Sequence, residues 1–186
     1  EPWAACALQK DGSVLTVGTL KGVAVLGTGE ANEKTLGFAG QERFFLAKYE
    51  SDGRLAWAKQ GNGTGSTSTR RIVAFDDGSC AVTGDFTLTI TFGEGTVAET
   101  ELISSGDRDV FVAKFGADGN LVWARAVNGT GTDGVEGIDI RPDGGCVISG
   151  VAVGGTVTFG AGESEETSFT VNGSYDGFLA AYGANG

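Results

Sequence analysis

The chain is 186 residues long, 40% apolar, and carries 24 acidic against 13 basic residues for a net charge of −11, with no histidine. A surface this acidic repels phosphate backbones and anionic lipid, which argues against nucleic-acid binding, and no run approaches the roughly 18 apolar residues that a membrane span needs. The 33 glycines follow no three-residue period, which excludes collagen and points to glycine-punctuated turns, while 11 Phe argue against disorder.

In chain order, a first segment beginning at about Cys6 ends at the turn Asp11-Gly12, and this turn returns as Asp77-Gly78 and Asp143-Gly144. Gly18 returns as Gly84 and Gly150. Phe45 and Ala47 of FFLAKY return as Phe111 and Ala113 of VFVAKF, then as Phe178 and Ala180 of GFLAAY. The offset is 66 residues up to Gly150 and 67 afterwards, one residue having entered near Val151–Gly155. Such self-similarity marks a repeat architecture. The chain, 1–186, therefore reads as one repeat domain with copies at about 6–71, 72–137 and 138–186, the last incomplete.

The middle copy shows the elements most clearly. Ile72–Phe75 is a short apolar run stopped by Asp76-Asp77-Gly78, and Cys80–Thr83 follows, then Gly84 and Phe86. Asp-Gly between two β-rich runs signals a hairpin, because Gly accepts positive φ and Asp bonds its own backbone. Leu88–Phe92 and Glu101–Ser104 predict an inserted hairpin. Val110–Phe115 and Leu121–Ala126 predict two more strands around the turn Ala117-Asp118-Gly119, and Asn128-Gly129-Thr130-Gly131 links to the next copy. In VFVAKF, Phe111, Ala113 and Phe115 share one face while Val112 and Lys114 share the other, so both faces carry apolar residues. A strand apolar on both sides belongs to a sheet sandwiched between sheets, and no helical period appears anywhere. The expected fold is all-β, with β-propeller-like blades of about 66 residues, four strands plus an inserted hairpin each, in nearly three repeats.

The third copy lacks an equivalent of LAWAK (55–59) and LVWAR (121–125), and three blades less one strand do not close a ring, which takes 4–8 blades. Open edges and uncovered blade faces predict either that the chain is a fragment of a longer propeller or that copies associate, as a homo-oligomer or with a strand-completing copy of the same chain. The chain opens Glu1-Pro2-Trp3 and contains no Met, so a leader or larger amino-terminal part is expected to have been removed. Glu1–Ala5, with Trp3, is a candidate for the absent strand.

DDGSCAVTGDF (76–86), DVFVAKFGADGNLVWAR (109–125) and TVTFG (156–160) together resemble the bacterial β-propeller repeat called SBBP, and the likeness covers nearly the whole chain. The first copy departs from it: Arg43 stands where Asp109 and Asp176 stand, and GVAVLG (22–27) replaces the TVTFG-like run. The resemblance implies a secreted or cell-surface protein. The function expected from it is a non-catalytic module for self-assembly, adhesion or protein interaction. A carbohydrate-binding propeller is the alternative, with a glycoside-acting enzyme behind it.

Without histidine there is no Ser-His-Asp triad, no His-Cys dyad and no His metal ligand, and no cofactor, metal or catalytic site is predicted. Cys80 and Cys146 share a repeat position held by Val14 in the first copy, which reads as a buried strand position; Cys6 is equivalent to Ile72, and both a Cys6–Cys80 disulfide and free thiols are open. Asp11, Asp77, Asp143, Asp52 and Asp118 each precede Gly, and turn formation accounts for them ahead of calcium binding. Asp109 and Asp176 are expected to cap the FVAKF-like strand or to line a central channel. Glu30, Glu33, Glu163, Glu165 and Glu166 lie on inserted hairpins as solvated tips. Asn62, Asn128 and Asn172 open glycosylation sequons inside turn-forming stretches. Trp57 and Trp123, alternating with Leu55 and Leu121, predict packing between blades ahead of sugar stacking. The positions that define the repeat are thus structural: Phe45, Phe111, Phe178, Trp57, Trp123, Asp77, Gly78, Asp143 and Gly144.

Overall fold

The computed structural model describes residues 4–186, the side chains of residues 38–41 excepted. Trp3 therefore lies outside the described residues. All regular structure among them is antiparallel β. Ala4–Leu8 (β1), Val14–Leu26 (β2), Lys34–Tyr49 (β3) and Leu55–Gln60 (β4) form the first sheet in that order. The second repeat supplies Thr67–Ala74 (β5), Cys80–Phe86 (β6), the hairpin Thr89–Phe92 and Thr100–Ile103 (β7, β8), Asp109–Phe115 (β9) and Leu121–Gly129 (β10). The third supplies Thr132–Ile140 (β11), Cys146–Val153 (β12), the hairpin Thr156–Phe159 and Thr167–Thr170 (β13, β14) and Asp176–Tyr182 (β15). Its sheet, β11-β12-β15, has three strands. Among the described residues the sheets close no barrel or ring.

The sheets stack face to face, because the central strands are apolar on both sides. Every residue of β6 and β9 is buried. Leu15, Val17, Phe44 and Leu46 of the first sheet meet Ile72, Val82, Phe111 and Phe115 of the second in one core. On the opposite side, Ala81, Val110, Val112 and Trp123 meet Cys146, Ile148, Phe178 and Tyr182 of the third. Phe44, Phe92, Phe111 and Phe115 pack as an aromatic cluster with ring centroids 5.2–6.1 Å apart. The recurring strand glycine is explained by this closeness. A Cβ on Gly84 would lie 2.4 Å from the Ser68 carbonyl oxygen and 2.8 Å from the Phe111 ring. On Gly150 it would lie 2.3 Å from the Gly134 oxygen and 2.4 Å from Phe178.

The inserted hairpin does not stay in its own sheet. Strand β13 pairs with β10 of the preceding repeat, Asn128 opposite Thr158, giving the six-stranded order β14-β13-β10-β9-β6-β5. The β7–β8 hairpin makes the equivalent contact one repeat earlier, where Asn62 and Thr91 exchange backbone hydrogen bonds of 2.9 and 2.7 Å. A left-handed residue turns the chain out of its sheet at each of these points, Leu88 at φ 54° and Gly155 at φ 71°. In the first repeat the equivalent Gly22 is also left-handed, at φ 104°, but there the ladder shifts register by a bulge and β2 and β3 run on together to Leu26 and Lys34.

Candidate binding surfaces at the sheet junctions

One end of the stack is built from the Asp-Gly turns. Asp77 Oδ1 accepts the Ser79 amide at 2.9 Å, and Asp143 Oδ1 accepts the Gly145 amide at 3.0 Å. The glycines that follow take positive φ, 84° at Gly78 and 81° at Gly144. Their carbonyls then serve as hooks between repeats: Gln9 Nε2 donates to Gly78 O and Lys114 Nζ to Gly144 O, both at 2.8 Å. Trp57 Nε1 donates to Ala117 O and Trp123 Nε1 to Ala184 O, each at 3.0 Å and each one repeat onward. Gly119 rests on the Trp57 indole, where a Cβ would come within 2.7 Å of the ring. Of the recurring Phe residues, Phe111 and Phe178 are buried between sheets, and Phe45 is half-buried on the outer side of the first sheet. Apart from Phe45, these positions sit where one sheet meets the next.

The hairpin tips share a feature that residue-by-residue reading of the sequence did not catch. Glu33 accepts the Gly29 amide, Glu99 that of Gly95 and Glu166 that of Gly162, all at 2.7 Å. The recurrence of Gly-x-x-x-Glu at the repeat offset is the signal that would have found it. Glu33 and Glu166 are thus loop clasps as well as tip residues. Glu30 accepts the Leu55 amide at 2.7 Å, Glu163 pairs with Arg125 at 2.5 Å, and Glu165 is exposed. Of the sequon asparagines, Asn62 Nδ2 donates to Glu94, Asn172 Nδ2 donates to Thr170 O, and Asn128 Oδ1 is buried.

The opposite end of the stack gathers buried carboxylates. Asp109, fully buried, accepts the Ser105 amide at 2.6 Å and the Gly129 amide at 2.8 Å, so it caps its strand and ties it to the next. Asp176 accepts the Asn172 amide at 2.8 Å in the same way. Asp85 pairs with Arg70 at 2.7 Å and accepts the Val135 amide at 3.3 Å; burial nevertheless pushes its pKa up. Asp133 is 1% exposed, and no hydrogen bond of ordinary geometry reaches either of its oxygens. Burial first and the neighbouring Asp109 charge second push its pKa up to about 6, against a smaller pull from the Val153 backbone amide. An acid raised in this way beside a second acid has the electrostatics of an acid–base pair, but both carboxyls are sealed inside the junction.

Cys80 and Cys146 are buried free thiols, with burial pushing their pKa values up to about 12 and about 11; Cys6 is exposed and also free. Thiols held protonated in this way are poor nucleophiles. Among the described residues no three His, Cys, Asp or Glu side chains gather to hold a metal ion, and no helix is long and apolar enough to cross a membrane.

A cleft of about 430 Å³ opens between the first and second sheets at this same end, lined by Thr19, Lys21, Ser66, Arg70, Thr87 and Arg108 among others. Lys21 pairs with Glu42 at 3.5 Å. Arg108 is exposed, and its backbone is fixed by the Asp133 amide, which donates to Arg108 O at 2.8 Å. No family model matches this chain, and no curated protein matches it.

Proposed function

We propose that the chain is a non-catalytic, extracellular repeat module that works by joining its blades to those of a second copy of itself. The observation that carries this reading is a contrast between repeat-equivalent residues. Leu46 and Val112 are fully buried where one sheet covers the next, whereas Leu179, their equivalent on the outward side of the third sheet, is 75% exposed. Val153 and Tyr175 are exposed in the same repeat. On the outward face of the first sheet, Cys6 is exposed where its equivalent Ile72 packs into the core. The outward face of the third sheet therefore carries residue types that elsewhere in the chain meet a neighbouring sheet, and a blade of the same kind fits it, whereas the outward face of the first sheet is partly covered by its own Leu36, Leu55 and Ala58. The SBBP-like motifs support a secreted or surface setting and a propeller-type arrangement once blades are added. The sealing of Asp109 and Asp133 and the raised thiol pKa values support a non-catalytic role.

Hydrogen exchange of β15 tests the reading. Its outer edge pairs with no strand among the described residues, so peptides spanning Asp176–Tyr182 should gain protection as protein concentration rises. Exchange in this segment that is independent of concentration would overturn the proposal.

A further inference from the structure

Repeat symmetry breaks most sharply in charge, at the inner ends of the two junctions. Lys21, Arg43 and Arg70 lie at the first junction; their equivalents one repeat later are Thr87, Asp109 and Glu136. Thr67 of the first junction likewise becomes Asp133. Glu42 changes the other way, to Arg108, so the cleft at the first junction gathers Lys21, Arg70 and Arg108 beside Glu42 and Asp85.

Within the cleft of about 430 Å³ at the first junction, the charges present are mostly spent. Asp85 is paired with Arg70, and Glu42 with Lys21. Arg108 is left over: no hydrogen bond or ion pair of its side chain occurs among the described residues, and its charge reaches Asp85 only through space. Around it stand hydroxyls with open hydrogen-bonding capacity. Ser66 is exposed, and Thr87 Oγ1 accepts the Ser66 amide at 3.1 Å while keeping its own proton to donate. Thr19 Oγ1 donates to Thr67 O at 3.1 Å and accepts the Thr69 amide at 3.3 Å, which holds that wall in place.

We propose that this cleft binds a uronic acid residue, with Arg108 taking the sugar carboxylate and the Ser and Thr hydroxyls taking its ring hydroxyls. A guanidinium presents a planar fork that matches a carboxylate, and a polar cleft of this size holds one or two hexose rings. The site is separate from the outward blade faces, so its occupation does not depend on self-association.

The test is calorimetric or NMR titration of the full chain at low salt with galacturonate, galactose and inorganic sulfate as separate arms. Galacturonate should bind, with shifts centred on Ser66, Thr87 and Arg108, and galactose and sulfate should each bind at least tenfold more weakly. Galactose binding as tightly as galacturonate overturns the carboxylate assignment, and sulfate binding as tightly overturns the sugar assignment. No binding in any arm overturns the site. Arg108→Gln, an exposed substitution, should weaken galacturonate at least tenfold with an unchanged melting temperature. Lys21→Gln, which leaves Glu42 unpaired in the cleft, should also weaken it and reduce its salt dependence; an unchanged affinity in both variants contradicts the proposal.

Discussion

The buried Asp133 carboxyl makes stability depend on pH in a direction that can be worked out. Its native pKa of about 6 lies above the ordinary carboxylate value of 3.8, so the folded chain holds this proton more tightly than the unfolded one. With respect to this group, stability is fully present below about pH 4 and is lost as pH rises to about 6, then levels off. The gap in pKa corresponds to roughly 3 kcal/mol, an upper value given relaxation and water penetration at a junction. Asp133→Asn keeps the shape and removes the ionisation, and its amide can donate to the Asp109 carboxylate beside it. The variant should match wild type below about pH 4 and exceed it by roughly 1–3 kcal/mol at pH 8. Asp85, raised by burial, is common to both chains and cancels in the difference; Asp11 and Asp77, whose pKa values are lowered by hydrogen bonds from Ser13 and Ser79, act only at lower pH. Urea denaturation followed by Trp fluorescence at several pH values measures the difference. A gap that does not change with pH, or a variant weaker than wild type at pH 8, would refute the reasoning.

Two further substitutions test the backbone account. Gly84→Ala places a Cβ against the Ser68 carbonyl and the Phe111 ring, and should cost roughly 1–3 kcal/mol in urea denaturation; a neutral result would mean the sheets are less closely packed than described. Leu88→Gly relieves a left-handed conformation at a residue 61% exposed, and should stabilise by roughly 1 kcal/mol. A clear loss of stability in that variant would show that Leu88 contributes by contact.

The strands and the role of the Asp-Gly turns were legible because each rests on local chemistry: alternation, β-branching and side-chain-to-backbone bonding within two residues. Ile72–Phe75 was read too short, since the observed β5 begins at Thr67, where polar Thr and Ser alternate without an apolar signal. The destination of the inserted hairpins was not legible. It follows from the left-handed turn at Leu88, a residue type that does not announce such a conformation, and from pairing with the previous repeat. Cys80 and Cys146 were legible as buried positions from their equivalence with Val14, and all three cysteines are unpaired. The buried acids were half legible. Asp109 was marked for its place before the strand, but Asp133 stands out only when compared with Thr67, and its burial comes from the neighbouring sheet. Arg43 was noticed as a departure, whereas the matching changes at Lys21 and Arg70 gain meaning only once the fold brings them to one cleft.

Sedimentation velocity of the chain across micromolar concentrations measures most directly whether its outward faces seek a partner of their own kind. Species heavier than the 18.9 kDa chain should grow with concentration, and Leu179→Glu should return them to 18.9 kDa while leaving the fold intact. A single 18.9 kDa species for the unaltered chain at every concentration would contradict the account.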